Sequence, residues 1–306
     1  MLTQIQGMHH VTSIATSAPR NNAFFTQTLG LRRVKQTVNF DNPSVYHLYY
    51  GDAHGTPGTV MTYFPFANAQ PRRKGSGEIA QTAFAIPKGS AAFWMDRLSG
   101  LNPETDQRFG DTRVRFVGPD GDDFSLVEVE DTRTPWASDG IPSDVAIRGF
   151  HSVEMTVKDT AATAELLTFM GYEKLDQSGA LTRFHRPNAG PASVLDVLED
   201  PEAEEHAQGA GSVHHIAFAV EDRAAQLEVR SALLDTGYAV TPVKDRDYFH
   251  AIYFRSPGGI LFEVATNEPG FDRDEEGAHL GKALKLPSQH EHRREMLEKT
   301  LEPLET

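Results

Sequence analysis

Two stretches, GMHHVTSIAT at 7–16 and SVHHIAFAV at 212–220, decide how this chain of 306 residues is organised. Each opens an apolar run with a His-His pair, His9-His10 before Val11 and His214-His215 before Ile216. A short apolar run bounded by turn residues reads as a strand. Behind each strand lies an amphipathic segment that stops at glycine, at Thr28-Leu29-Gly30 and at Asp235-Thr236-Gly237. The same order recurs twice in between, from Gln81-Thr82-Ala83 to Gly100 and from Ser152-Val153-Glu154 to Gly171. Counted from His10, Gln81, Ser152 and His215, the four glycines lie 20, 19, 19 and 22 residues downstream, and they are 70, 71 and 66 residues apart. Spacing this regular marks a repeated structural unit. Glycine just past a helix end is the expected left-handed cap, so all four glycines are assigned that role.

Strand-like segments with turn signals follow each helix. In the fourth unit Asp247–Arg255 alternates, Ser256-Pro257-Gly258-Gly259 turns, and Ile260–Ala265 (ILFEVA) runs back. In the second, Val114–Val117, Pro119-Asp120-Gly121 and Phe124–Val129 keep that order. Each unit therefore reads β-α-β-β, with room for one more strand to make βαβββ. One such unit leaves a sheet face bare, and pairing units buries it by curling the sheet. The expected fold is α+β, with four βαβββ modules forming two half-open mixed-sheet barrels. By sequence the chain divides into an N-terminal pair of modules at 1–135, a linker at 136–145, a C-terminal pair at 146–270 and a tail at 271–306. Thr132–Val145 is rich in Pro, Ser, Asp and Gly, as a linker is, and His290–Leu304 has helical period and mixed charge. The tail is expected to form a surface helix that caps the fold or contacts a second copy in a homo-oligomer.

Composition narrows the function. A net charge of −14 argues against nucleic acid and against an anionic membrane surface. There is no cysteine, which excludes thiolate chemistry, disulfides and iron–sulfur clusters. No secretory leader and no membrane-spanning run is read, so a cytoplasmic location is expected.

Strand neighbours point to opposite faces, so only one histidine of each pair faces inward. Repeat register makes His10 and His215 the equivalent inward positions. Glu263 sits in an otherwise apolar strand, where an unpartnered carboxylate would cost several kcal/mol. Taken singly, each has a structural reading: a core or surface histidine, an edge glutamate. Taken together, two imidazoles and a carboxylate are the facial triad that holds non-haem Fe(II) and leaves positions open; Mn(II) suits the same ligands. The repeats supply a control. The residues equivalent to His215, Glu263 and His10 in the other two units are Gln81, Ser125 and Ser152, which cannot hold a metal. The first and fourth units are therefore expected to share the live barrel. His151 is a weaker candidate ligand, since its register points it to the other face.

These segments, with DRDYFHAIYFRSPGGILFEVAT and the tail LGKALKLP…EHRREMLEKTLEPL, resemble the vicinal oxygen chelate superfamily over roughly residues 7–270. Within it the chain is similar to ring-cleaving dioxygenases of the hydroquinone 1,2-dioxygenase type. That resemblance implies an Fe(II)- or Mn(II)-dependent dioxygenase acting on a small dihydroxylated aromatic and O2. It places Arg246 and Tyr253 in the substrate pocket and His9, His214 and Thr12 near the metal. His250 lies close in sequence and is a further candidate for proton transfer. Two other readings of the same fold are a glyoxalase-like isomerase or transferase and a metal-free small-molecule binder.

Overall fold

The computed structural model describes residues 1–305. The first unit comprises β1 (Met8–Ala15), α1 (Ala18–Ala23), β2 (Arg32–Val38), β3 (Tyr46–Gly51) and β4 (Val60–Pro65). The second comprises β5 (Glu78–Pro87), α2 (Ala91–Arg97), β6 (Glu104–Arg108), β7 (Asp111–Val117) and β8 (Asp123–Val129). The third comprises β9 (Gly149–Val157), α3 (Thr160–Phe169), β10 (Glu173–Ser178), β11 (Leu181–His185) and β12 (Val194–Glu199). The fourth comprises β13 (Val213–Val220), α4 (Arg223–Asp235), β14 (Lys244–Asp245), β15 (Phe249–Arg255) and β16 (Leu261–Pro269). Every unit is βαβββ. Asp159 and Asp222 cap α3 and α4 by accepting the amides of Ala161 and Ala225, which satisfies donors the helix leaves free.

The four strands of each unit join another unit's to make two eight-stranded mixed sheets, β14-β15-β16-β13-β1-β4-β3-β2 and β10-β11-β12-β9-β5-β8-β7-β6. The first unit pairs with the fourth and the second with the third, so both sheets cross the 136–145 segment. The joins are the antiparallel pairs β1–β13 and β5–β9. Central strands are apolar and buried, as in β1, whereas the edge strand β10 (EKLDQS) is exposed throughout. Helix α4 is pinned to its sheet by Gln226, whose buried amide donates to the carbonyls of His250 and Val264.

Gly30, Gly171 and Gly237 take the left-handed conformation expected of them. Gly100 does not: α2 ends at Arg97, a 3-10 turn covers Ser99–Leu101, and Asn102 is the left-handed residue. Asn tolerates that conformation better than other side chains.

The tail returns to the first unit. Lys35 is fully buried and donates to Asp274 (2.7 Å) and Glu275 (2.6 Å), beneath the Tyr248 ring. A buried ammonium requires such partners. Glu275 also accepts the amides of Gly281 and Ala283. Gly281 lies so close to the Arg33 carbonyl that a Cβ would sit 2.0 Å from it, so only glycine passes. The last segment is a 3-10 turn at Ser288–Arg293 followed by α5 (Arg294–Thr300), anchored by Leu297, Leu301 and Leu304. No helix among the described residues is long and apolar enough to cross a membrane.

Candidate metal centre

The join between β1 and β13 places Thr12 opposite His215 and His10 opposite Ala217, so the two histidines are diagonal neighbours on one face. Parallel pairing of β13 with β16 puts Glu263 opposite Ala217. Three strands from opposite ends of the chain thus converge. His10 Nε2 lies 3.3 Å from His215 Nε2 and 3.6 Å from Glu263 Oε2, and His215 Nε2 lies 2.9 Å from Glu263 Oε2. All three residues are buried, at 1%, 5% and 0% exposure. They form the one cluster of three metal-ligating side chains found among the described residues.

This set fits a metal. Ligands about 2.1 Å from a common ion and roughly at right angles lie about 3 Å apart, which matches the three edges of this triangle. Neither oxygen of Glu263 has an aligned hydrogen-bond donor, although His215 Nε2 is close. Burial opposes the charge on Glu263, but the two imidazoles hold its carboxyl well below the usual carboxylate range.

The remaining ring nitrogens explain why histidines come in pairs. His10 Nδ1 lies 2.9 Å from His9 Nδ1, and His215 Nδ1 lies 2.8 Å from His214 Nδ1. A ligand histidine that donates its Nδ1–H to a neutral neighbour keeps its Nε2 lone pair for a metal. Burial, and next the adjacent imidazole, pushes both His9 and His214 down to about 3, so each is neutral and able to accept. Phe249 packs against His9 and His10 and fixes their planes.

The triad floors a cavity of about 410 Å³ walled by aromatic and aliphatic side chains, among them Phe40, Phe64, Phe66 and Leu261. That size and polarity suit a small ring. His214, Arg246 and Tyr253 also line it. Arg246 Nε donates to the Tyr253 hydroxyl at 3.3 Å. Although burial opposes its charge, Tyr253, Glu263 and Asp41 keep the guanidinium ionised. Burial, and then the charge of Glu263, raises the Tyr253 phenol, which stays protonated.

Thr12, beside His10 on the same face of β1, and His9 do not line the cavity. Thr12 hydrogen-bonds Thr62 at 2.8 Å. His250 is not in the cavity either: Phe249 and Tyr253 line it, so alternation along β15 turns His250 to the opposite face, where its carbonyl is used by Gln226 and its Nδ1 is buried without a partner. His151 belongs to the other sheet, where its Nδ1 meets Ser152 Oγ at 2.9 Å. Sequence reasoning missed two features. His47, on β3, lines the cavity with both nitrogens engaged, by Tyr49 (2.8 Å) and Thr62 (2.9 Å). The loop Asn39–Asn42 forms the rim. A signal existed in register: Tyr49 faces Thr62 as Tyr253 faces Glu263.

In the other sheet Gln81, Ser125 and Ser152 occupy the equivalent positions. Gln81 Oε1 accepts from Ser125 and from Arg113, both at 3.2 Å. Arg183 grips the buried Asp196 with two nitrogens at 2.7 and 2.9 Å.

Known proteins share this plan. The chain is 41% identical over 309 residues, covering 100% of it and 98% of the relative, to "Putative ring-cleaving dioxygenase MhqO" of Bacillus subtilis (strain 168). It is 35% identical over 314 residues to the chlorohydroquinone/hydroquinone 1,2-dioxygenase of Sphingobium indicum, covering 97% of this chain and 96% of that one. Glyoxalase I from Zea mays superposes with a TM-score of 0.63 at 14% identity, over 85% of this chain and 92% of the other, a likeness of fold alone. The family described as Glyoxalase/Bleomycin resistance protein/Dioxygenase superfamily matches residues 7–264, a span that takes in all four repeats and the triad. With four βαβββ units curled into two sheets and that match over most of its length, the chain belongs to this superfamily.

Proposed function

We propose that this chain is a metal-dependent ring-cleaving dioxygenase that takes Fe(II), or Mn(II) in its place, and acts on a hydroquinone-type dihydroxylated aromatic with O2. One observation carries the reading: a buried His10–His215–Glu263 triangle opens into a ring-sized apolar cavity that holds a single guanidinium, Arg246. The full-length relatives named as dioxygenases support it.

A metal bound by His10, His215 and Glu263 would supply Lewis acidity and open positions for substrate and O2. The residues of the chain do the rest. The aromatic walls hold the ring and exclude water. His214, neutral and at the cavity edge with its Nδ1 taken by His215, presents its Nε2–H as a donor to the substrate oxygen as that oxygen ionises. Arg246 faces the oxyanion that results, and its bond to Tyr253 keeps it there. The Tyr253 phenol, held protonated, offers a second donor. Holding both reactants in one cavity replaces a bimolecular encounter. Both atoms of O2 enter the product as the carbon–carbon bond beside the hydroxyl-bearing carbon breaks, so no reductant is needed.

The test is metal content of anaerobically purified protein beside Glu263→Ala, with oxygen uptake on a panel of quinols and catechols. About one Fe or Mn per wild-type chain, lost in the variant, with oxygen consumed on a quinol, is expected. Metal bound without oxygen uptake on any diphenol would sink the assignment.

A further inference from the structure

The turn after the second strand of each unit differs in a telling way. Between β6 and β7, and between β10 and β11, it is two residues long, and between β14 and β15 it is three. Between β2 and β3 it is seven, Asn39–Val45. The enlarged loop belongs to the sheet that carries the triad, and it lies over the cavity. Loops in which one repeat departs from its siblings are where repeat proteins place binding function.

This loop is held from both ends and from outside. Asn39 Oδ1 accepts the amides of Asp41 and Asn42, and the Asn39 amide donates to the Val45 carbonyl. The Phe40 ring lies over the Arg246 guanidinium, 5.2 Å from its carbon, while the Asp41 carboxylate stands 4.0 Å from the same group. The Phe40 carbonyl accepts from Gln289 Nε2 at 3.0 Å and from His290 Nε2 at 2.8 Å. Those two donors come from the tail, which no repeat unit contains. The tail itself is tethered by Lys35, Glu275 and Leu297. Phe40 is thus held between the cavity cation on one side and the tail on the other.

We propose that Phe40 determines which aromatic rings the cavity admits, and that Gln289 and His290 are positioning residues that act through its carbonyl. The proposal rests on the ring-cleavage reading for the chemistry of the ligand. A flat ring entering beside Arg246 meets the Phe40 face or edge, so substituents on the ring are read by the loop.

The experiment titrates anaerobic, metal-loaded protein calorimetrically with hydroquinone and with tert-butylhydroquinone, and measures oxygen uptake in parallel. Phe40→Ala is expected to weaken hydroquinone roughly three- to tenfold, the scale of one aromatic contact. The affinity ratio between the two quinols moves toward one. Gln289→Ala with His290→Ala shifts KM in the same direction by a smaller factor, with kcat within about twofold. His290→Gln, which keeps an N–H donor, restores wild-type affinity, and Met296→Ala on the exposed side of the tail changes nothing. Tm and metal content stay at wild-type values throughout. If Phe40→Ala binds both quinols as wild type does, the loop role is overturned while ring cleavage stands. If the variants change binding but no protein consumes oxygen, ring cleavage fails and the loop role stands. If wild type binds neither quinol, both fail.

Discussion

In the sheet that joins the first and fourth units, tyrosines hold two equivalent register positions: Tyr49 opposite Thr62 and Tyr253 opposite Glu263. In the sheet of the second and third units, the same register positions hold Arg115 opposite Ser125 and Arg183 opposite Asp196. Both concave faces bury a carboxylate, Glu263 in one and Asp196 in the other. A buried carboxylate needs a cation. Asp196 has a fixed one in Arg183, whereas Glu263 has two neutral-capable imidazoles and an open cavity. The two sheets therefore differ in more than the residues at the triad positions. Asp196 stands where the first sheet has Thr62, and Arg183 where it has Tyr49, so the buried ion pair occupies the register position beside the one used by Glu263, which Ser125 fills.

If that contrast is right, it can be forced across the molecule. Tyr253→Arg puts a guanidinium opposite Glu263, as Arg183 stands opposite Asp196. Metal content should fall from about one per chain to near none, with the circular dichroism spectrum unchanged, since the new cation occupies the carboxylate. Full metal retention in this variant would break the comparison. Next in size, Arg183→Ala strands Asp196, with only Arg108 at 3.4 Å left nearby. A loss of about 3–5 kcal/mol is expected in urea unfolding, while metal content holds. A loss under 1 kcal/mol would show that Asp196 never depended on its partner.

The smallest effect is a pH dependence in the metal-free sheet. Burial, and then the charge of Arg183, pushes His151 down to about 4. Its unfolded value is about 6.5. The unfolded state therefore binds the extra proton first as pH falls. Stability from this group is fully present above pH 6.5 and declines between 6.5 and 4, by about 3 kcal/mol in all. His151→Gln should flatten that part of the urea midpoint against pH. An unchanged slope would assign the decline to other groups.

How much of this was written in the sequence depends on the kind of contact. The repeats were legible because helix ends need a left-handed residue, and three of four glycines supply it. The triad was legible because period-two register carries across a duplication: Gln81, Ser125 and Ser152 identify the other half by default. Gly100 misled because a 3-10 turn after α2 moved the left-handed position to Asn102. His250 misled because closeness in sequence was read as closeness in space, whereas its three-residue offset from Tyr253 puts it on the other face of β15. His47 and Phe40 stayed hidden for another reason. Their importance comes from a cavity built by strands far apart in the chain and from a tail that belongs to no repeat, and neither leaves a periodic trace.

The crossing of the units has a consequence for synthesis. The second and third units, Glu78 to Glu199, form a sheet from one unbroken run of chain. The other sheet needs strands from both ends, and His10 must wait for Glu263. On the ribosome this run can close first and stand as a template. The sheet that carries the triad is completed later, once β16 has emerged. A nascent chain stopped short of β16 carries two of the three ligands, so an ion cannot be committed to the site before the protein around it is finished.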